Sequence, residues 1–342
     1  MTQRPRIYAL LGSHAAIRYD NGDRINELRF LNVLSRFGDV FYNGRSFVRG
    51  AAEAGGGDRI ATPDRGDYDL VYVRGNAEVF TAAPGPKIYL GLPYSRAAFE
   101  AADAVAVTTQ PWKLALEAPS GAARERWDLD RYYDRETFTP PRSVIHIEQS
   151  IDERFDPSCV ADPRTDDFKV RFGWGFTIAY MGRLHDNSLP YALMAATPKL
   201  RAAYPDLNIV MAGPSKVEWA GRGVNYVGRI GYGEMPYAIS ACDMMVYDHD
   251  ETGHWLGAGK VLDALACGVP VLCRRHEARV EQLGADYPLF FDDEAELVDR
   301  VAAYRRSKDV REQCHAILRA RRIHYLPDAV AARVGPRLMG LL

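Results

Sequence analysis

The chain has 342 residues, more than one hydrophobic core usually supports, and we expect two domains. Hydrophobic residues make up 47% and charged residues 26% of a sequence with a formal net charge of −2, which is typical of a globular protein and excludes the strong positive field of many nucleic-acid-binding proteins. The five cysteines form no Cys-x-x-Cys pair or Cys/His cluster, so we expect reduced thiols, a cytoplasmic location and no structural zinc site.

Short apolar runs bounded by Gly, Pro or Asp characterise the first half of the chain. The first, "RIYALLG" at residues 6–12, is too short for a signal peptide or a membrane span, and we predict a buried strand there. The amphipathic segment 24–38 follows, with Leu28, Leu31 and Leu34 at helical spacing. Further predicted strands are "DVFYNG", "YDLVYVRG", "PKIYLGL" and "DAVAVTT". This alternation predicts a parallel sheet with helices on both faces.

Residues 143–175 shift to prolines and acids, which favours an interdomain linker. After this segment the alternation of strands and helices starts again. The predicted strands are "FTIAYMGR", "LNIVMAG", "VNYVG", "DMMVYD", "VPVLC" and "PLFF". We therefore predict two doubly wound, Rossmann-like α/β domains, 1–158 and 159–326, that face a cleft, since ligands in such sheets bind outside the carboxyl ends of the strands.

The stretch "GAGKVLDALACGVPVL" at 257–272 places a lysine behind a glycine-rich loop. It is not a Walker loop, because His254 stands where the first glycine belongs and Val261 follows Lys260 in place of a hydroxyl residue. Helical spacing follows the lysine, and Gly268 fits a helix end. A strand, a glycine-rich loop and a helix start together predict an anion site. The sequence argues against a nicotinamide-cofactor domain, since no Gly-x-Gly-x-x-Gly follows the first strand of either half.

Taken together, these motifs resemble the donor domain of GT-B glycosyltransferases. The matching segments are "FTIAYMGRLHDNSLPYALMAA", "LNIVMAGP", "GVNYVGRIGYGEMPYAISACDMMVYD", "GKVLDALACGVPVL" and the linker "SVIHIEQSIDERFDP". The resemblance spans Val105 to Phe291 and includes both the family 4-like type and the bacterial polysaccharide glucuronosyltransferase type. It implies the GT-B fold, with acceptor domain 1–158, donor domain 159–326, and a C-terminal helix in 327–342 that crosses back to pack on the first domain.

The resemblance also implies a donor site for a nucleoside diphosphate sugar. Two cations, Arg183 and Lys260, would hold the diphosphate without a metal ion, and Asp263 lies one helical turn after Lys260, where a carboxylate can accept hydrogen bonds from the ribose. The assigned residues are Gly182, Arg183, Gly257, Gly259 and Lys260 for the diphosphate, Asp263 for the ribose, Gly228, Arg229 and Ile230 for the base, and Tyr247 and His254 in the donor loop.

For catalysis, the candidate carboxylates are Asp20, Glu78 and Glu251. The chain departs from the large retaining family at two positions, where Ser188 replaces a lysine and Trp255 replaces the first of two paired glutamates. Retention and inversion of the sugar's configuration both stay open.

The predicted activity is transfer of a hexosyl or uronosyl group, with a UDP-sugar favoured as donor, to a carbohydrate, lipid-linked or small-molecule acceptor. The nucleotide sugar is a co-substrate, and we expect no further cofactor, no metal ion and no nucleic-acid partner. A lipid-linked acceptor is compatible with peripheral association at the cytoplasmic face of the inner membrane. Two alternatives stay open: a non-catalytic partner subunit that binds a nucleotide sugar, and a nucleotide-sugar epimerase that uses the acids and histidines of "DHDETGH".

Overall fold

The computed structural model describes residues 4–18, 22–57, 59–64, 66–117, 133, 136, 138–185, 189–248 and 257–342, with Gly22 and Asp23 described by their backbone alone. The described residues divide into two compact units. The first contains those up to Ser150 together with Tyr325–Leu342, and the second contains those from Ile151 to His324. These divisions, at 150/151 and 324/325, lie eight and two residues before the predicted boundaries at 158/159 and 326/327.

Seven strands form the main sheet of the first unit, in the order β4-β3-β1-β6-β7-β8-β9. β3 and β4 are antiparallel, and the other neighbouring pairs are parallel. The strands, with the separate antiparallel pair β2 and β5, are β1 Arg6–Leu11, β2 Ala16–Arg18, β3 Asp39–Tyr42, β4 Arg45–Ser46, β5 Glu53–Gly55, β6 Leu70–Arg74, β7 Lys87–Leu90, β8 Ala104–Val107 and β9 Val144–His146. The helices are α1 Gly22–Phe37, α2 Ala77–Ala82, α3 Arg96–Ala101 and α4 Gln110–Glu117.

The second unit contains a six-stranded, fully parallel sheet in the order β12-β11-β10-β13-β14-β15. Its strands are β10 Phe176–Met181, β11 Leu207–Ala212, β12 Asn225–Tyr226, β13 Met244–Tyr247, β14 Val271–Arg274 and β15 Phe290–Phe291. Its helices are α5 Pro163–Phe172, α6 Tyr191–Ala203, α7 Met235–Ser240, α8 Gly259–Cys267, α9 Glu277–Leu283, α10 Glu294–Arg306 and α11 Lys308–His324.

The last helix, α12 (Pro327–Met339), returns to the first unit. Val330, Val334 and Leu338 recur at intervals of four residues and are buried in the core of that unit. Arg333 Nε donates to the Glu148 carboxylate at 2.8 Å. The predicted GT-B-like crossing of the C-terminal helix is therefore confirmed.

The core strands are nearly continuous apolar runs, because helices cover both faces of a parallel sheet. In β1, for example, every residue from Ile7 to Leu11 is buried. Helix α8 ends where the sequence predicted, since Gly268 adopts φ +74° in the left-handed region that glycine tolerates best.

The prediction of a linker at 143–175 is wrong at two places, where the structure has a strand and a helix. Val144–His146 is β9, the edge strand of the first sheet, and Val144 and Ile145 are buried there. The prolines and acids belong to helix starts rather than to a linker, because Asp162 caps α5 and Pro163 is its first residue.

Other differences concern strand length and strand pairing. The runs "VNYVG" and "PLFF" supply only the two-residue strands Asn225–Tyr226 and Phe290–Phe291. The pairing of β2 with β5 was not predicted, since neither has a long apolar run. Within the described part of the chain, no helix has the length and apolarity needed to cross a membrane.

Candidate functional site

Three glycines follow neighbouring strands at the carboxyl edge of the second sheet: Gly182 after β10, Gly213 after β11 and Gly228 after β12. Gly182 N donates to the Ala212 carbonyl and Gly213 N to the Gly228 carbonyl, both at 2.8 Å. A Cβ atom on Gly213, whose φ is +138°, would lie 1.7 Å from the Gly182 oxygen. At these three positions the edge of the sheet therefore consists of backbone without side chains.

The side chain of Lys260, in the first turn of α8, lies against Gly182. A Cβ atom on Gly182 would be 1.9 Å from Lys260 Nζ, so the lysine can take this position only because residue 182 has no side chain. Lys260 Nζ donates to the Tyr180 hydroxyl at 3.0 Å, and that hydroxyl donates to the Arg183 carbonyl at 3.2 Å. Burial raises the pKa of Tyr180, which keeps the phenol protonated and able to donate. Tyr180 thus links the lysine to the Gly-Arg loop.

The pKa of the Lys260 ammonium group is lowered to about 8, and burial is the largest cause. The positive charge of Arg183 contributes to this lowering of the pKa, and the negative charge of Asp263 opposes both effects. Arg183 itself is exposed. Lys260, at the start of α8, and Arg183 repel each other. An anion bound between them and the helix start would relieve this repulsion.

The start of α8 differs from the start of α6 in how it is capped. Ala258, the N-cap residue of α8, has no side chain that can accept a hydrogen bond. At α6 the buried Asp248 carboxylate, which follows β13, accepts from the backbone N–H groups of Ala192 and Leu193. Arg274 Nε donates to the same carboxylate at 2.9 Å. The α6 start is therefore already closed by an anionic side chain, and of these two helices α8 is the one whose start can receive a ligand anion.

Asp263 is 8% exposed and lies one turn after Lys260 on the same helix. Its charge raises the pKa of Lys260 and also that of the Cys267 thiol, which places the carboxylate near both groups. The predicted spacing of Lys260 and Asp263 along one helix face is confirmed.

Comparison with known proteins places this geometry in context. Residues 194–333 match the family model described as "Glycosyl transferase-like". HepE of Anabaena, solved with UDP-glucose, superposes with a TM-score of 0.65 at 14% identity, covering 98% of this chain and 99% of that one. The chain has the GT-B fold. No curated protein matches it significantly in sequence.

Two further GT-B structures cover the chain to the same extent. Sucrose-phosphate synthase of Thermosynechococcus elongatus has a TM-score of 0.65 at 15% identity and covers 98% of this chain and 99% of its own. A UDP-forming α,α-trehalose-phosphate synthase of Burkholderia xenovorans has a TM-score of 0.63 at 10% identity and covers 98% of both chains. The predicted resemblance to GT-B glycosyltransferases is confirmed in fold over nearly the whole chain and in sequence over residues 194–333.

The segment assigned to the base lies beside the three glycines. Gly228 has φ +73°, and its carbonyl accepts the hydrogen bond from Gly213 N. Arg229 is exposed and Ile230 is buried. Contact with a base stays a prediction for all three.

Tyr247, the last residue of β13, is half-buried, and its ring lies near two cationic side chains of the second unit. The Arg279 guanidinium carbon lies 4.7 Å and Lys260 Nζ 5.9 Å from its ring centroid. Gly257 and Gly259 flank Ala258 at the α8 start. His254 lies outside the described residues.

The predicted catalytic carboxylates are only partly described. Asp20 and Glu251 lie outside the described residues, as do Ser188 and Trp255. Glu78 is exposed in the first turn of α2, after the capping residue Asn76. A carboxylate there stabilises the helix start, and its part in catalysis stays a prediction.

Sequence reasoning missed a buried carboxylate in the first unit. Glu27 of α1 is fully buried, and the Tyr72 hydroxyl donates to it at 3.4 Å. Arg24 of the same helix lies 3.2 Å from His14 Nδ1, beyond the carboxyl end of β1. The signal in the sequence was weak, because Glu27 shares the helical spacing of Leu31 and Leu34 but differs from them in polarity.

Proposed function

We propose that the protein is a glycosyltransferase that moves a hexosyl or uronosyl group from a UDP-sugar to a carbohydrate, lipid-linked or small-molecule acceptor. One observation carries this assignment: Lys260 lies against bare backbone at the carboxyl edge of the second sheet, in the first turn of α8 and close to Arg183. The glycosyl transferase-like segment and the UDP-glucose bound to HepE support the choice of donor.

In the proposed reaction, an acceptor hydroxyl attacks the anomeric carbon of the donor sugar. The bond from that carbon to the β-phosphate oxygen breaks, and UDP leaves with the bonding electron pair. The proton of the hydroxyl passes to a base, for which Asp20, Glu78 and Glu251 remain the candidates. Arg183, Lys260 and the backbone N–H groups at the α8 start stabilise the charge that develops on the leaving diphosphate.

We propose that this charge stabilisation needs no divalent metal ion. Two side-chain cations and a helix start already oppose the diphosphate charge, which is the role that a metal ion has in other transferases. Activity that survives EDTA supports this part. Activity that EDTA abolishes and that magnesium or manganese restores would overturn it.

Product analysis tests the activity itself. The full chain is incubated with UDP-sugars and a panel of carbohydrate and lipid-linked acceptors, and the products are separated by mass. Transfer predicts free UDP and an acceptor that has gained one sugar. Binding without turnover would indicate a partner subunit, and an isomerised donor of unchanged mass would indicate an epimerase.

We propose that Asp263 binds the ribose of the donor. A carboxylate can accept hydrogen bonds from both ribose hydroxyls, and Asp263 lies near Lys260 on the same helix. Asp263→Asn should therefore reduce the preference for UDP over 2′-deoxy-UDP, measured by calorimetry. An unchanged ratio of the two affinities would exclude the ribose role.

A further inference from the structure

Gln282, a residue of α9, forms two hydrogen bonds with the backbone of Ala258. Its Oε1 accepts from Ala258 N at 3.1 Å, and its Nε2 donates to the Ala258 carbonyl at 3.2 Å. The side chain is deeply buried, since Gln282 is only 4% exposed. A single primary amide thus holds both polar groups of the residue that caps α8.

The position of Gln282 is itself fixed by its surroundings. Ala278 and Leu283 of the same short helix are fully buried. Arg321 of α11 donates from Nε to the Gln282 carbonyl at 2.9 Å and from its terminal nitrogen to the Glu281 carbonyl. Three helices therefore cooperate, with α11 holding α9 and α9 holding the start of α8.

The Ala258 carbonyl is also where the hydrogen bonds of α8 begin. Val261 N and Leu262 N donate to it at 3.2 and 3.3 Å, in addition to Gln282 Nε2. Rotation of this peptide group would change the direction of the backbone N–H groups that follow it at Gly259 and Lys260. We propose that Gln282 is a positioning residue: it fixes the orientation of the α8 start, and through it the backbone N–H groups that would face the diphosphate. This inference rests on the function proposed above.

A purely structural role for Gln282 makes a different prediction. Loss of two buried hydrogen bonds would lower thermal stability, and any effect on binding would be shared by all ligands of the second unit. A positioning role instead weakens ligands that contain the diphosphate more than it weakens the nucleoside. The ratio of UDP affinity to uridine affinity therefore separates the two roles.

The experiment uses the full chain and two substitutions of the same residue. Gln282→Met keeps the length of the side chain and removes both hydrogen bonds. Gln282→Glu keeps an acceptor for Ala258 N but turns a carboxylate oxygen towards the Ala258 carbonyl. Gln313→Met is the matched control, because Gln313 is an exposed glutamine of α11 whose Nε2 donates to the Asp286 carbonyl.

We expect both Gln282 variants to bind UDP about fivefold or more weakly, as the loss of a neutral hydrogen bond of about 1 kcal/mol implies, while uridine affinity changes less than about twofold. Calorimetry measures UDP binding, and ligand-observed NMR measures uridine binding. Gln313→Met should match the unmodified protein with both ligands. If Gln282→Met does not fold, the Gln282→Glu variant decides the result.

Lys260→Ala, measured in parallel, separates failure of this inference from failure of the proposed function. If Lys260→Ala loses UDP selectively and the Gln282 variants lose UDP and uridine equally or lose neither, the positioning role is wrong and the diphosphate site stands. If Lys260→Ala itself shows no selective loss of UDP, the diphosphate site is wrong, and the inference about Gln282 is wrong with it.

Discussion

Lys260 is the residue on which the proposed site depends most. Its ammonium group donates a hydrogen bond to the uncharged Tyr180 hydroxyl at 3.0 Å. The positive charge of Arg183 repels it. The lysine could be selected from the sequence, because a glycine-rich loop before a helix is a local pattern. The contact of Lys260 with Gly182 could not, since these two residues lie far apart in the chain and meet only in the folded domain.

Replacement of the lysine tests its contact with phosphate. Lys260→Ala should weaken UDP binding by about 1.5–3 kcal/mol, or about 10- to 150-fold, because a charge-assisted hydrogen bond is lost. Uridine, which lacks phosphate, should bind as before. Lys199→Ala is the control, since Lys199 is an exposed lysine of the same unit that pairs with Glu294. Equal weakening of UDP and uridine would place the diphosphate elsewhere.

The pH dependence of UDP binding should follow the titration of Lys260. Its pKa of about 8 lies below the usual 10.5, chiefly because of burial and then because of Arg183. Only the protonated lysine attracts the diphosphate, so affinity should be level below pH 8 and fall as the pH rises through 8. Calorimetry between pH 7 and 9.5 checks this. In Lys260→Ala the decline near pH 8 should disappear, and its persistence there would assign it to another group.

At the scale of elements, helices α6 and α8 begin at the same edge of the sheet but differ in whether a side chain caps them. Asp248 closes α6 with a carboxylate, whereas Ala258 offers α8 no side-chain cap. The helices and most strands could be predicted from periodicity, because helical spacing and apolar runs are local. The partner of each helix start could not, since Asp248 reaches residues 192 and 193 across the sheet.

Asp248 provides a prediction about stability. Asp248→Ala removes the acceptor for two backbone N–H groups and the partner of Arg274, and breaking a buried pair of this kind costs about 3–5 kcal/mol. The melting temperature of the full chain should fall by about 5 °C or more, as followed by calorimetry. Asp166→Ala, which breaks the exposed pair with Lys169 on α5, should change it little. Equal shifts for the two variants would exclude a structural role for Asp248 at α6.

At the scale of the whole molecule, the chain forms two units and returns to the first with its last helix. The two series of strands and helices made this division predictable. The placement of β9 was not, because a strand of three residues followed by acids and prolines resembles a linker in composition. Its assignment to the first sheet depends on pairing with β8, which is a property of the fold.

Removal of residues 328–342 tests the role of the last helix. The truncation takes Val330, Val334 and Leu338 out of the first unit's core, and each buried side chain contributes about 1.5–3 kcal/mol. We expect a lower melting transition and reduced turnover, while UDP affinity, which the proposed function assigns to the second unit, falls less than about twofold. Calorimetry with and without UDP measures both effects. A truncated protein with the original melting temperature and activity would show that α12 does not stabilise the first unit.

The position of the diphosphate in a crystal of the full chain with UDP tests the central claim most directly. We predict that a phosphate oxygen lies about 2.7–3.0 Å from Lys260 Nζ, at hydrogen-bonding distance, with the diphosphate beside Gly182 and the start of α8. A diphosphate bound away from Lys260, or UDP held through its base alone, would contradict the account.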